Sequence, residues 1–160
     1  MTESELDVTE ILNHTEFDVE KNLLTRRQAE VFALREEGLR QRDIANLLGT
    51  SRANISNMER SAQDNIDKAT ETIDFATVLT APARVMISPE TDLYEVPKRV
   101  YDAADDAGIE FNHTAPDLTN VISNQASAVV KGRAVRNQIV LGITDEGEIY
   151  VRQPNDRSEK

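Results

Sequence analysis

Between residues 25 and 60, apolar positions recur at helical spacing and are broken twice by glycine. Val31, Phe32 and Leu34 mark the buried side of a first helix. Thr25 can cap it, with Gln28 at the reciprocal box position, and Gly38 stops it after about Glu37. Leu39 fits the corner that follows. Ile44, Ala45 and Leu48 line one face of a second helix over about 41–48, and Gly49 ends it. Ser51 or Thr50 can cap a third helix, whose inner face opens with Ile55 and Met58. Apolar residues then continue at 58, 62, 66, 69 and 73, in steps of 3, 4, 4, 3 and 4. That period predicts one long amphipathic helix, with its later turns available to a partner subunit.

Beyond residue 77 the pattern becomes mixed. The Val85–Met86–Ile87 run, bounded by Pro82 and Pro89, predicts a strand. Val96, Val100, Ala103, Ala104 and Ala107 form a helical stripe ending at Gly108, with Pro97 in the first turn. Leu118, Ile122, Gln125 and Val129 predict a further helix across 118–131, stopped by Gly132. Residues 138–151 read as a hairpin turning at Asp145–Gly147. The expected fold class is α+β: an N-terminal helix-turn-helix domain, 21–76, followed by a small mixed α/β dimerisation or regulatory domain, 77–155. An acidic N-terminal extension, 1–20, precedes them.

Two helices joined by a short turn form a device that places the second in the major groove of double-stranded DNA. The outward residues at the start of the third helix are therefore candidate readers. Arg52 can pair with guanine or phosphate, and Asn54 with an adenine edge. Ser51 and Ser56 can meet phosphate or a base edge. Arg60 lies later on the helix and suits backbone phosphate. Gln41, Arg42, Arg26 and Arg27 sit at helix starts where phosphate anchoring is expected.

The stretch 23–76 resembles the N-terminal domain of the archaeal Tfx family of transcriptional regulators. The specific runs are LTRRQAEV at 24–31, GTSRANIS at 49–56 and the following ERSAQDNIDKATET. The resemblance implies a homodimer acting on promoter-proximal DNA, with Gln41, Ser51, Arg52, Asn54 and Ser56 as carried-over contacts. Arg40 departs from the hydroxylated residue expected there and is a poor helix cap. The acidic leader extends beyond the resemblance.

Composition sharpens this picture. The net charge is −11, yet it is unevenly spread. Residues 1–20 hold seven acids and no Lys or Arg (−7). Residues 21–68 hold nine bases and seven acids (+2), and residues 69–160 hold nine bases and fifteen acids (−6). The basic segment coincides with the helix-turn-helix, as an electrostatic footprint should. Only 5 of the 18 bases are Lys, which with the carboxylate excess predicts a halophilic protein. Cysteine is absent, excluding disulfides and cysteine-ligated metal centres. With no long apolar run, a cytoplasmic protein without membrane contact is expected.

No cofactor, metal or catalytic residue is expected. There is no phosphate-binding loop, dinucleotide fingerprint or nucleophile elbow. His113 near Asp117, and His14 in the leader, lack a metal-ligand spacing. Arg133 and Arg136 read as a solvated patch, and Asp102, Asp105 and Asp106 as an exposed helix face. Partners beyond DNA are a second copy and, as a further expectation, the transcription machinery; the sequence identifies no small-molecule effector. The alternatives are a DNA-acting enzyme targeted by its helix-turn-helix, which would need a magnesium-binding carboxylate cluster, and a transcription-complex scaffold.

Overall fold

The computed structural model describes residues 7–153; the outermost positions of the leader and of the C-terminal region assigned above lie outside them. Four helices come first: α1 (Val8–His14), α2 (Arg26–Glu36), α3 (Gln41–Leu48) and α4 (Arg52–Thr80). They are followed by β1 (Ala83–Ile87), α5 (Val96–Asp106), α6 (Ala115–Gln125), β2 (Val130–Lys131), β3 (Ala134–Val135), β4 (Ile139–Ile143) and β5 (Ile149–Arg152). This is the expected α+β order. The chain divides into two compact units, Met1–Glu71 and Thr72–Lys160. None of the described helices is long and apolar enough to cross a membrane.

In the first unit, Thr25 and Gln28 form the complete capping box at the start of α2. The Thr25 side chain accepts from the Gln28 amide at 3.1 Å, and the Gln28 side chain accepts from the Thr25 amide at 3.1 Å. Gly38, at φ +90°, turns the chain after α2. Gly49 ends α3 in the left-handed region at φ +68°. Val31, Leu34, Ile44, Ala45 and Ile55 make the buried core, with Leu39, Leu48 and Met58 packed against it. The leader also contributes. Asp7 caps α1, Leu12 is buried, and Val8 packs against the same core. Burying one leucine stabilises a fold by roughly 2 kcal/mol, so residues 8–14 are part of this unit.

In the second unit, β1, β4 and β5 form an antiparallel sheet in that order. Val85 pairs with Leu141, and Leu141 with Val151. Alternation sends Val85, Ile87, Ile139, Leu141 and Ile149 into a core shared with Val96 and Val100 of α5 and Leu118 and Ile122 of α6. The last turns of α4 lie on the other face of the sheet, where Gly142 accommodates Val78. A Cβ at 142 would sit 3.1 Å from the Val78 backbone.

The helix expected across 118–131 is shorter and begins earlier. Thr114 and Asp117 form a capping box ahead of Leu118, and Pro116 occupies the first turn. The helix ends at Gln125. Residues 130–135 instead form the small β2–β3 hairpin, in which Val130 pairs with Val135. Gly132, at φ +62°, sits in its turn rather than at a helix end. Val129 and Val130 are β-branched and favour extended backbone, and glycine satisfies the hairpin turn as well as it would a helix stop.

Candidate nucleic-acid interface

The candidate interface is built on the starts of α3 and α4. Ser51 caps α4, its hydroxyl accepting from the Asn54 amide at 3.1 Å. The Asn54 side-chain amide donates to the Thr50 hydroxyl at 2.9 Å. That bond orients Asn54 and leaves its carbonyl oxygen available. Ile55 is fully buried, which turns Arg52, Asn54 and Arg60 outward; all three are exposed. Ser56 is half-buried at the edge of that surface.

Four arginines then converge. Arg35 at the end of α2, Arg40 and Arg42 around the start of α3, and Arg52 of α4 line one open depression with Gln41, about 390 Å³ in volume. Its internal order depends on Glu59. That carboxylate accepts from Gln41 Nε2 at 2.8 Å and from Arg35 Nε at 3.0 Å. The Gln41 hydrogen bond, reinforced by Arg35, holds the Glu59 carboxyl below its ordinary range, against the opposing effect of burial. Arg40 is tied to Asp43 at 3.1 Å. Arg42, Arg52 and Arg60 have no hydrogen-bonding or ionic partner among the described residues. Arg40 provides no side-chain cap to α3; the Asp43 amide donates to the Arg40 carbonyl at 2.9 Å, while the Gln41 and Arg42 amides have no acceptor among the described residues.

The remaining sequence-predicted residues lie elsewhere. Arg26 and Arg27 share Glu30, at 3.4 and 3.0 Å. Arg27 also donates to the Leu48 carbonyl at 3.3 Å, linking the start of α2 to the end of α3. Neither lines the depression. Arg35 does line it and was not anticipated. Its only sequence signal is a cation in the last turn of the first helix, and its meeting with Gln41 and Arg52 is tertiary. Arg40, read in the sequence as a weak cap, is a wall of the same depression.

The features weighed for chemistry in the second unit are engaged structurally. Asp117 accepts from the Thr114 amide at 3.0 Å, and its carboxyl is held below its ordinary range by the Thr114 contacts. The His113 carbonyl accepts from the Tyr101 hydroxyl at 2.8 Å. Arg133 pairs with Asp92 and Arg136 with Glu90.

Residues 69–151 match the family described as DNA-binding protein, TFX, C-terminal part. A protein of Haloarcula marismortui, provisionally assigned as a transcriptional regulatory protein, is 44% identical over 155 residues, covering 96% of this chain and 98% of its own. The chain belongs to the Tfx family. The DNA-binding protein Tfx of Methanothermobacter marburgensis is 37% identical over 131 residues, 82% of this chain and 95% of that one. A Methanocaldococcus jannaschii protein with the same provisional assignment is 38% identical over 133 residues, 83% of this chain and 97% of its own. Tfx membership, together with the helix-turn-helix unit, makes the coarse function DNA binding in transcriptional regulation.

Proposed function

We propose that this chain is a cytoplasmic, homodimeric regulator that reads specific duplex sites through the start of α4. The observation that carries the reading is the four-arginine depression in a chain of net charge −11. Arg52, Asn54 and Ser56 are the proposed base-edge or local backbone contacts, and Ser51 keeps the first turn of α4 in shape. Arg42 and Arg60 are proposed phosphate contacts, with Gln41 positioned by Glu59. The uncapped start of α3 supports phosphate binding, because helix N-terminal amides attract anions. Arg26 and Arg27 are proposed as outer phosphate contacts that keep their ties to Glu30.

The proposed division of labour puts DNA binding in 21–76 and dimerisation or regulation in 77–155. A two-fold dimer would match half-sites about 34–36 Å apart. Exposed Ile73, at the far end of the α4 stripe, supports a contact between copies. Genome-wide crosslinking followed by footprinting at the strongest sites tests the proposal. It expects paired protected half-sites upstream of genes. Protection with no shared sequence would refute specific reading.

A further inference from the structure

The antiparallel sheet of the second unit has two edges, and they are not alike. Hydrogen-bond parity fixes which backbone groups reach each one. At the base of the β4–β5 hairpin the Thr144 amide donates to the Glu148 carbonyl at 3.0 Å. The ladder alternates from there, so Gly142 and Val140 bond to β5, while Ile143, Leu141 and Ile139 bond to β1. The outward groups of β5 are then those of Ile149 and Val151. One side chain takes both: Gln125 Nε2 donates to the Ile149 carbonyl at 3.3 Å, and Gln125 Oε1 accepts from the Val151 amide at 2.9 Å. The Gln125 amide stands where a further strand would lie, and it closes this edge.

The β1 edge is open. Ala83, Val85 and Ile87 bond to β4, which leaves the amides and carbonyls of Arg84 and Met86 directed off the sheet. These groups have no hydrogen-bond partner among the described residues. Such a row of donors and acceptors is a template for another strand, and edges are ordinarily guarded by charge. Here the strand carries Met86, an apolar side chain that is 62% exposed.

We infer that β1 pairs antiparallel with β1 of a second copy, about a two-fold axis at Val85, joining two three-stranded sheets into one. The inference rests on the dimer proposed above and assigns its hydrogen-bonded contact. In this register Arg84 of each copy faces Met86 of the other, and each such pair exchanges both of its backbone bonds. Beyond them Ser88 faces Pro82. Pro82 has no amide to donate, and the Ser88 carbonyl it would meet already accepts from the Thr91 amide at 3.3 Å and the Thr91 hydroxyl at 2.7 Å. The neighbouring registers are worse. Centring on Arg84 sets two guanidinium groups directly opposite. Centring on Met86 sets the Arg84 amide against the occupied Ser88 carbonyl. Because Gln125 closes the β5 edge, pairing through β1 ends at two copies instead of growing into a fibre.

The sequence has no cysteine, so one introduced thiol reports proximity cleanly in the full chain. Val85→Cys should give a disulfide-linked dimer under copper–phenanthroline oxidation, since facing residues of a pair without hydrogen bonds lie about 4.5 Å apart at Cα. Met86→Cys, exposed on the same strand but offset from its own copy, should crosslink far less. Met86→Lys puts a like charge opposite Arg84 twice per dimer and should weaken association about tenfold in sedimentation equilibrium. Adding Arg84→Glu should restore it. Circular dichroism checks the fold of each variant; if Val85→Cys loses the native spectrum, the charge pair alone decides. A dimeric parent in which Met86→Lys changes nothing, or in which Met86→Cys crosslinks as readily as Val85→Cys, would overturn the β1 pairing and leave the dimer on another surface. A parent that stays monomeric would overturn both.

Discussion

Asn54 illustrates how a single side chain can be held ready for a base. Its amide nitrogen donates to Thr50, so the proposed pairing with adenine would use its carbonyl oxygen first and the second amide proton next. Replacing Asn54 by Ala should relax discrimination at one base pair by about 1–3 kcal/mol in competition titrations. Arg42 has no such tether. Arg42→Gln should weaken all duplexes evenly and reduce the salt slope by about one phosphate contact; a sequence-selective loss would instead make Arg42 a base reader. Gly147 matters for stability rather than recognition. It sits at φ +78°, and a Cβ there would lie 2.7 Å from the Glu110 carbonyl oxygen. Gly147→Ala therefore combines left-handed strain with a backbone clash, and should cost about 2 kcal/mol in chemical denaturation.

At the scale of elements, Glu59 joins three helices through one carboxylate, since Arg35 belongs to α2, Gln41 to α3 and Glu59 itself to α4. Its lowered pKa means that this contribution is fully present above the ordinary glutamate range and is lost as pH falls through the depressed value. Glu59→Gln should reduce stability by about 1 kcal/mol near neutral pH, and the gap to the parent should close on acidification in pH-dependent melting. A constant gap would mean that the carboxylate charge is not the source. Glu59 also shows where sequence reading stops. The capping box of α2, the glycine breaks and the apolar stripe of α4 follow local rules, so they were legible from residue spacing. The meeting of Arg35, Gln41 and Glu59 depends on the crossing of helices distant in sequence, and no local pattern encodes it. The 118–131 region was misread for a related reason. Its apolar spacing is compatible with a helix, but the Thr114–Asp117 box and the β-branched pair before Gly132 set different ends.

For the whole molecule, the question is how an acidic chain binds a polyanion. The leader's seven carboxylates give residues 1–20 a charge of −7, and its described part is packed rather than trailing, since Leu12 is buried. Deleting the leader would therefore remove core contacts along with charge. Neutralising exposed acids separates the two effects: Glu10, Glu16 and Glu20 are all exposed, so a triple change to Gln should leave the fold intact. At low salt their field extends over tens of ångströms, whereas at molar salt the Debye length is about 3 Å. The triple variant should bind non-specific duplex more tightly than the parent at low salt, and the two should converge as KCl approaches molar levels. An affinity ratio independent of salt would reject electrostatic exclusion by the leader. Convergence would support a protein working in concentrated salt, where close hydrogen bonds from Asn54 and Arg52 decide binding and long-range repulsion is screened. Light scattering under the same conditions should give the mass of a dimer, and Ile73→Asp should shift it toward the monomer. A parent chain that stays monomeric at high salt, both alone and on operator DNA, would place the two-fold symmetry in the DNA alone.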